Sequence, residues 1–262
     1  RPVRRRVMGY LRALGVWHYT RGQALEGRES RRHYRQASRR LSQYADRAGR
    51  FRMEAGVMGT GAGYMVLLAG DAALRSGRTA GAADLYARAA WSEPPFPGAG
   101  EAAYALVQLR HDQWRKQENV DSRNRLIADA RRFVQDFPRH ADINGVRQTL
   151  ANRLYEAGRY AEARGVARTL VEADATDDQR RAGWILLCHL RMDAEEYAEA
   201  ASAWAEVRQL TPADDDRLAD FRGRHGVAFY REAERLADRE QFERARERFR
   251  QAYRAAPGTE VA

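Results

Sequence analysis

Residues 184–212, WILLCHLRMDAEEYAEAASAWAEVRQLTP, decide how the rest of the chain is read. Trp184, Leu187 and Cys188 stand at i, i+3 and i+4 and therefore share one face of a helix. The polar run Asp193-Ala194-Glu195-Glu196 falls where that helix turns. A second helix follows, with Tyr197, Ala200, Trp204 and Val207 along one face. Thr211-Pro212 closes it, because proline cannot continue a helix and disfavours helical geometry in the residue before it. Small residues (Cys188, Ala200) let two helices approach closely, and the aromatics fill the space beside the contact.

The pattern recurs. Gly158-Arg159-Tyr160-Ala161-Glu162-Ala163 repeats the turn between helices predicted over 144–156 and 160–173. Phe229, Phe242, Ala245, Phe249, Ala252 and Pro257 form another copy, with the Trp184-to-Pro212 separation kept between Phe229 and Pro257. Gly70, Gly77, Ala82, Tyr86, Ala89 and Pro94 form a third. The segment 99–138 is degenerate: its second helix ends Phe133-Val134-Gln135-Asp136-Phe137-Pro138, but its first lacks the aromatic. Second helices are expected to start near 79, 123, 160, 197 and 242. The motif aromatics are assigned to packing, since a single hairpin cannot bury both faces and neighbours must supply the core.

This arrangement resembles the tetratricopeptide repeat, a helix-turn-helix unit of about 34 residues. Trp184 matches its first aromatic, Leu187 its leucine, Tyr197 and Ala200 the start of the second helix, Trp204 the phenylalanine and Pro212 the closing proline. Cys188 replaces the glycine and Arg191 the first tyrosine. The resemblance implies an all-α protein, a right-handed superhelical solenoid of hairpins at about 63–95, 99–138, 144–175, 181–213 and 217–257. It also implies recognition on a concave surface lined by the first helix of each pair: His111, Arg115, Asn152, Tyr155, His189, Met192, Tyr230 and Glu234. The set that clamps a peptide carboxylate in some members is not reproduced, because Asn152 fits one place but Gln148 stands where a basic residue is needed. The run Phe133 to Pro138, followed by Leu154-Tyr155-Glu156-Ala157-Gly158-Arg159-Tyr160, is similar to bacterial cell-envelope members, among them outer-membrane assembly lipoproteins and the periplasmic partner of the Tol system. The implied function is a scaffold that binds a partner protein or peptide without catalysis of its own. The implied setting is the bacterial periplasm or envelope, with the cytoplasm as the alternative.

Charge sets the N-terminal fifth apart. Residues 1–52 carry 15 arginines against Glu26, Glu29 and Asp46, a net of +12, whereas the whole chain carries +10. Lys116 is the only lysine, a bias that fits GC-rich coding but does not explain the local lack of acids. Two helices are predicted here, Val3 to about Tyr19 and Glu29 to about Ala48, as a degenerate hairpin continuous with the others. The second puts Tyr34, Ala37, Leu41 and Tyr44 on one face. A rival reading makes this segment a polyanion-binding module for nucleic acid, anionic lipid or acidic glycan, through Arg4, Arg5, Arg6, Arg31, Arg32, Arg35, Arg39 and Arg40.

Other chemistry finds little support. The uncharged run 55–70, with five glycines, reads as a loop before a helix and is shorter than the roughly 20 apolar residues a bilayer span requires. Gly56, Gly59, Gly61 and Gly63 lack the Lys-Ser/Thr and the preceding strand of a phosphate loop. The six histidines form no HExxH, and Cys188, the only cysteine, offers neither a disulfide nor zinc spacing. His189 and Asp193 stand at i, i+4 as an ordinary polar pair. No catalytic residue, metal ligand or cofactor site is nominated. The start at Arg1 rather than Met, and the polar end Gly258-Thr259-Glu260, fit a piece of a longer protein.

Overall fold

The computed structural model describes residues 2–50, 59–93 and 95–257; these form twelve α-helices, with no strand among the described residues. They are α1 Pro2–Gln23, α2 Gly27–Arg50, α3 Gly59–Arg75, α4 Thr79–Ala90, α5 Ala99–Gln117, α6 Val120–Asp136, α7 Ile143–Glu156, α8 Tyr160–Glu172, α9 Asp177–Asp193, α10 Tyr197–Gln209, α11 Leu218–Asp238 and α12 Phe242–Ala255. Consecutive helices pair as hairpins, and the chain forms two compact units, Arg1–His140 and Ala141–Ala262. Inside each unit every helix packs on the next in sequence. The protein is thus an all-α repeat of helical hairpins. Pro94, Gly56 and the 258–260 run lie outside the described residues.

One turn geometry recurs. The residue two places before the second helix is left-handed in Gly77, Glu118, Gly158, Glu195 and Glu240, with φ of 85°, 44°, 72°, 58° and 59°. In four of these turns two amides close the first helix in a Schellman pattern. Gly158 N–H donates to the Tyr155 carbonyl (2.9 Å) and Arg159 N–H to that of Leu154 (2.9 Å). Glu195 and Glu196 do the same to Met192 (3.0 Å) and Arg191 (2.8 Å). Glycine enters the left-handed region without steric cost; glutamate does not, and at Glu195 and Glu240 the same pair of closing hydrogen bonds holds the turn.

In the first unit, glycines set how closely the helices approach. Tyr34, Ala37, Leu41 and Tyr44 are all buried, as their shared face requires. Leu41 lies against Gly15 and Tyr34 against Gly22 of α1, both close enough that a Cβ would crowd the ring or the leucine. The glycine-rich run is helix from Gly59 on, which corrects the loop reading over 59–70, residues 55–58 lying outside the described set, and removes any phosphate-loop geometry at Gly61 and Gly63. The cause is packing. A Cβ at Gly63 would stand 2.4 Å from Phe96, and one at Gly70 2.8 Å from Tyr86. Tyr86 in turn donates its hydroxyl to Asp71 at 2.7 Å. Burial of Asp71 pushes its carboxyl above the usual range, although the Tyr86 hydrogen bond and Arg75 pull the other way.

In the second unit the core centres on Trp204, with Cys188, Ala200, Ala201, Ala203, Val207, Phe221 and Ala228. Trp204 is 2% exposed, and the Phe221 ring of the following helix stands 5.9 Å away. α9 begins in a capping box: Gln179 N–H donates to Thr176 Oγ1, and the Gln179 side chain accepts from Thr176 N–H. Two motif aromatics depart from expectation, since Trp184 packs on the cluster from its edge and Tyr197 opens α10, both only half-buried. Phe242 and Phe249 are exposed, the first at 66%, because no described helix follows α12 to cover them as Phe221 covers Trp204.

Candidate partner-binding groove

α7 and α9 are the first helices of adjacent hairpins, and they touch. Asn152 and Tyr155, one turn apart on α7, meet His189 of α9 across an open concavity of about 280 Å³. Ala182, Ile185 and Leu186 give it an apolar wall, and Arg153 and Glu156, paired at 2.9 Å, lie at its rim. His189 connects it to the core, its ring standing edge-on to Trp204 at 6.1 Å.

One of its polar groups, Tyr155, is held in place. Tyr155 donates its hydroxyl to Asp193 Oδ2 at 2.8 Å, and its ring lies 5.4 Å from Tyr160 and 6.4 Å from His189. Burial, then the Asp193 hydrogen bond, push the phenol up to about 12, so it stays a donor at any physiological pH. Burial pushes the His189 pKa down, and Arg224 adds to this against the opposing charge of Asp193. The neutral imidazole thus has one nitrogen to donate and one to accept. The Asp193 carboxylate, paired with His189 in the sequence reading, accepts a hydrogen bond from Tyr155 of α7.

The other groove residues sit elsewhere. Met192 packs on the Trp204 cluster. Tyr230 of α11 leans on Phe249 of α12, with ring centroids 5.4 Å apart, and Glu234 accepts from Arg231 at 2.9 Å. His111, 5.9 Å from the Trp114 ring, and the exposed Arg115 belong to α5 in the first unit. Ala182 and Ile185 were missed, although with His189 they stand at i, i+3 and i+7 on one face of α9. A wider open concavity, about 600 Å³, lies along α12 between Phe242, Phe249 and Tyr253 and the arginines 246, 250 and 254.

In the basic hairpin, Arg6, Arg31, Arg32, Arg35 and Arg39 are exposed. Arg40 is half-buried and donates to Gln43 at 3.5 Å. The side chains of Arg4 and Arg5 lie outside the described set. Cys188 is fully buried and burial pushes its thiol pKa up. Among the described residues no cluster of three or more His, Cys, Asp or Glu is placed to hold a metal ion, and no helix is long and apolar enough to cross a membrane.

The helices and the groove define a class, the all-α repeats of helical hairpins. Neither a family model nor a curated protein matches the chain. Among solved structures, the apo form of RapI is 12% identical, with a TM-score of 0.48 over 90% of this chain and 67% of that one. A tetratricopeptide repeat protein from Parabacteroides merdae is 12% identical, with a TM-score of 0.48 over 98% of this chain and 96% of that one. The apo form of the quorum sensor NprR from B. thuringiensis is 14% identical, with a TM-score of 0.43 over 94% of this chain and 66% of that one. At such scores these likenesses carry no inference about what this chain binds.

Proposed function

We propose that the chain is a non-catalytic, tetratricopeptide-type scaffold that holds a segment of a partner protein against the α7–α9 groove. The observation that carries this reading is the pairing of an apolar wall with polar groups in one open concavity, Ala182, Ile185 and Leu186 beside Asn152, Tyr155 and His189. Such a surface suits a peptide, whose backbone amides need partners while its apolar side chains need cover. The envelope-like run from Phe133 to Pro138 and from Leu154 to Tyr160 supports an assembly at the bacterial cell envelope as the setting. The exposed arginines of α1 and α2, with the local net charge of +12, favour an anionic contact as the alternative reading.

Photo-crosslinking tests the groove. A benzophenone amino acid at Asn152 should capture one discrete polypeptide from extracts of the source cell. The same probe at Arg168, exposed on α8, should not. Adding Tyr155→Ala and His189→Ala should abolish the capture while leaving helicity unchanged. Identical adducts from both positions, or capture that survives the double change, would sink the assignment.

A further inference from the structure

α1 carries an apolar stripe that the hairpin does not use. Val3, Val7, Tyr10, Leu14 and Trp17 fall at i, i+4, i+7, i+11 and i+14, within an arc of about 80° on a helix of 3.6 residues per turn. Val3 is 72% exposed, Val7 40%, Tyr10 64% and Trp17 54%, and Leu14 is half-buried. The side of α1 that meets α2 is a different one, made by Met8, Leu11, Gly15 and Gly22. No charged residue interrupts the arc between Val3 and Trp17; the exposed Arg6 flanks it and Arg21 extends it. Beside Trp17 stand His18 and His33, whose Nδ1 atoms are 3.0 Å apart, with the Trp17 ring 4.9 Å and 5.6 Å from theirs.

We propose that α1 docks on an anionic phospholipid bilayer, lying in the interface plane with this stripe turned into the headgroup–acyl boundary. The stripe spans about 21 Å at 1.5 Å per residue, so it lies on a bilayer and does not cross one. α1 is apolar on two sides, one packed on α2, and the exposed one offers the Trp and aliphatic residues, with arginines beside them, that interfacial binding uses. Tyrosine and tryptophan prefer that depth, where one end of the ring is dry and the other wet. The choice of lipid over other polyanions rests on the valines and Leu14, since nucleic-acid phosphates and sulfated glycans offer no apolar surface to them. Lipid is also favoured over a second copy of the chain, because two α1–α2 hairpins would bring like charge together, and α12 presents arginines as well. Arginine near an anionic leaflet adds about fivefold to partitioning, so charge and stripe act together.

Vesicle flotation of the full chain tests this, using phosphatidylcholine vesicles with and without phosphatidylserine at physiological salt. The chain should float with the serine lipid and stay down with phosphatidylcholine alone. Tyr10→Ser with Trp17→Ser, both at exposed positions, should lower partitioning at least tenfold with no loss of helicity. Arg6→Gln with Arg21→Gln should lower it about 25-fold, from two contributions of about fivefold each. Brominated lipid should quench fluorescence in the wild type and less in Trp17→Phe, which places that ring in the bilayer. Absence of flotation, equal flotation with both lipids, or serine-lipid binding unchanged by the Tyr10/Trp17 pair would each overturn the proposal. So would binding to heparin or duplex DNA without vesicle binding, which would assign the charge to a polymer.

Discussion

Two glycines of α1 give a test in which the same substitution takes opposite signs. Gly9 is exposed, and nothing stands within 4 Å of where a Cβ would lie. A Cβ at Gly15 would stand 2.7 Å from both Cγ and Cδ2 of Leu41 and 3.3 Å from its backbone nitrogen. Carbon atoms in contact prefer about 3.5–4.0 Å, so the gap is short by about 1 Å. Leu41 is fully buried, and its Cγ is too close to its own backbone to swing clear. Alanine gains about 0.8–1.0 kcal/mol over glycine inside a helix, and both sites collect it. Overpacking at Gly15 costs about 1–3 kcal/mol, so Gly9→Ala stabilises and Gly15→Ala is neutral to destabilising by up to about 2 kcal/mol. At about 2–4 °C per kcal/mol the two melts should separate by several degrees. Repeat proteins can unfold in stages, so circular-dichroism melts should be paired with hydrogen exchange of the α1 and α2 amides. If Gly15→Ala stabilises as much as Gly9→Ala, α1 and α2 do not approach this closely and the glycine argument fails.

Trp204→Ala should cost about 3–5 kcal/mol, since the ring is 2% exposed and enclosed on all sides. Phe249→Ala, at 38% exposure, should cost less than about 2 kcal/mol, and equal losses in denaturant titrations would contradict the burial of the first ring. His225 is 5% exposed, and its Nδ1 lies 3.1 Å from the Arg208 guanidinium; burial, then that charge, push its pKa down from 6.5 to about 4. The folded value lies below the unfolded one. This contribution is therefore complete above pH 6.5 and is lost as the pH falls towards 4, on the order of 3 kcal/mol. His225→Gln should flatten the pH dependence of the melting temperature in that window; parallel curves for variant and wild type would rule out a neutral buried imidazole.

The hairpins were legible because helical periodicity and turn residues are local signals. Second helices expected near 79, 160, 197 and 242 begin at Thr79, Tyr160, Tyr197 and Phe242, and that expected near 123 begins at Val120. The turns were legible unevenly. Gly77 and Gly158 announce a left-handed residue, whereas Glu195 and Glu240 take the same conformation without any such mark, held by the closing hydrogen bonds of the turn. The stretch 59–70 looks like a loop because it is rich in glycine and free of charge, and the rings that use Gly63 and Gly70, Phe96 and Tyr86, lie far along the sequence. The groove residues were chosen by repeat position, which fixes a helix and a face but not a neighbour. Asn152, Tyr155 and His189 share one concavity, while Tyr230 leans on α12 and Met192 packs on the core.

The repeat pattern also marks which face wants cover without saying whether cover arrives. Trp204 and Phe249 occupy the same place in their hairpins, eight residues before Pro212 and Pro257. One is buried under Phe221 and the other is open to solvent, so the difference belongs to the following helix and not to the pattern. Where α10 has Ala201 and Ala205, α12 has Arg246 and Arg250, and the latter stands 3.8 Å from Glu247. Those arginines are exposed beside Phe249, where Ala201 is buried beside Trp204. α1 carries no such charge along its arc. Val3, Val7, Tyr10 and Trp17 stay exposed with no charge set among them, beside the densest basic segment of the chain. An uninterrupted apolar stripe beside exposed arginines is matched to an anionic, apolar surface, and this is why the lipid assignment falls on α1 and not on α12.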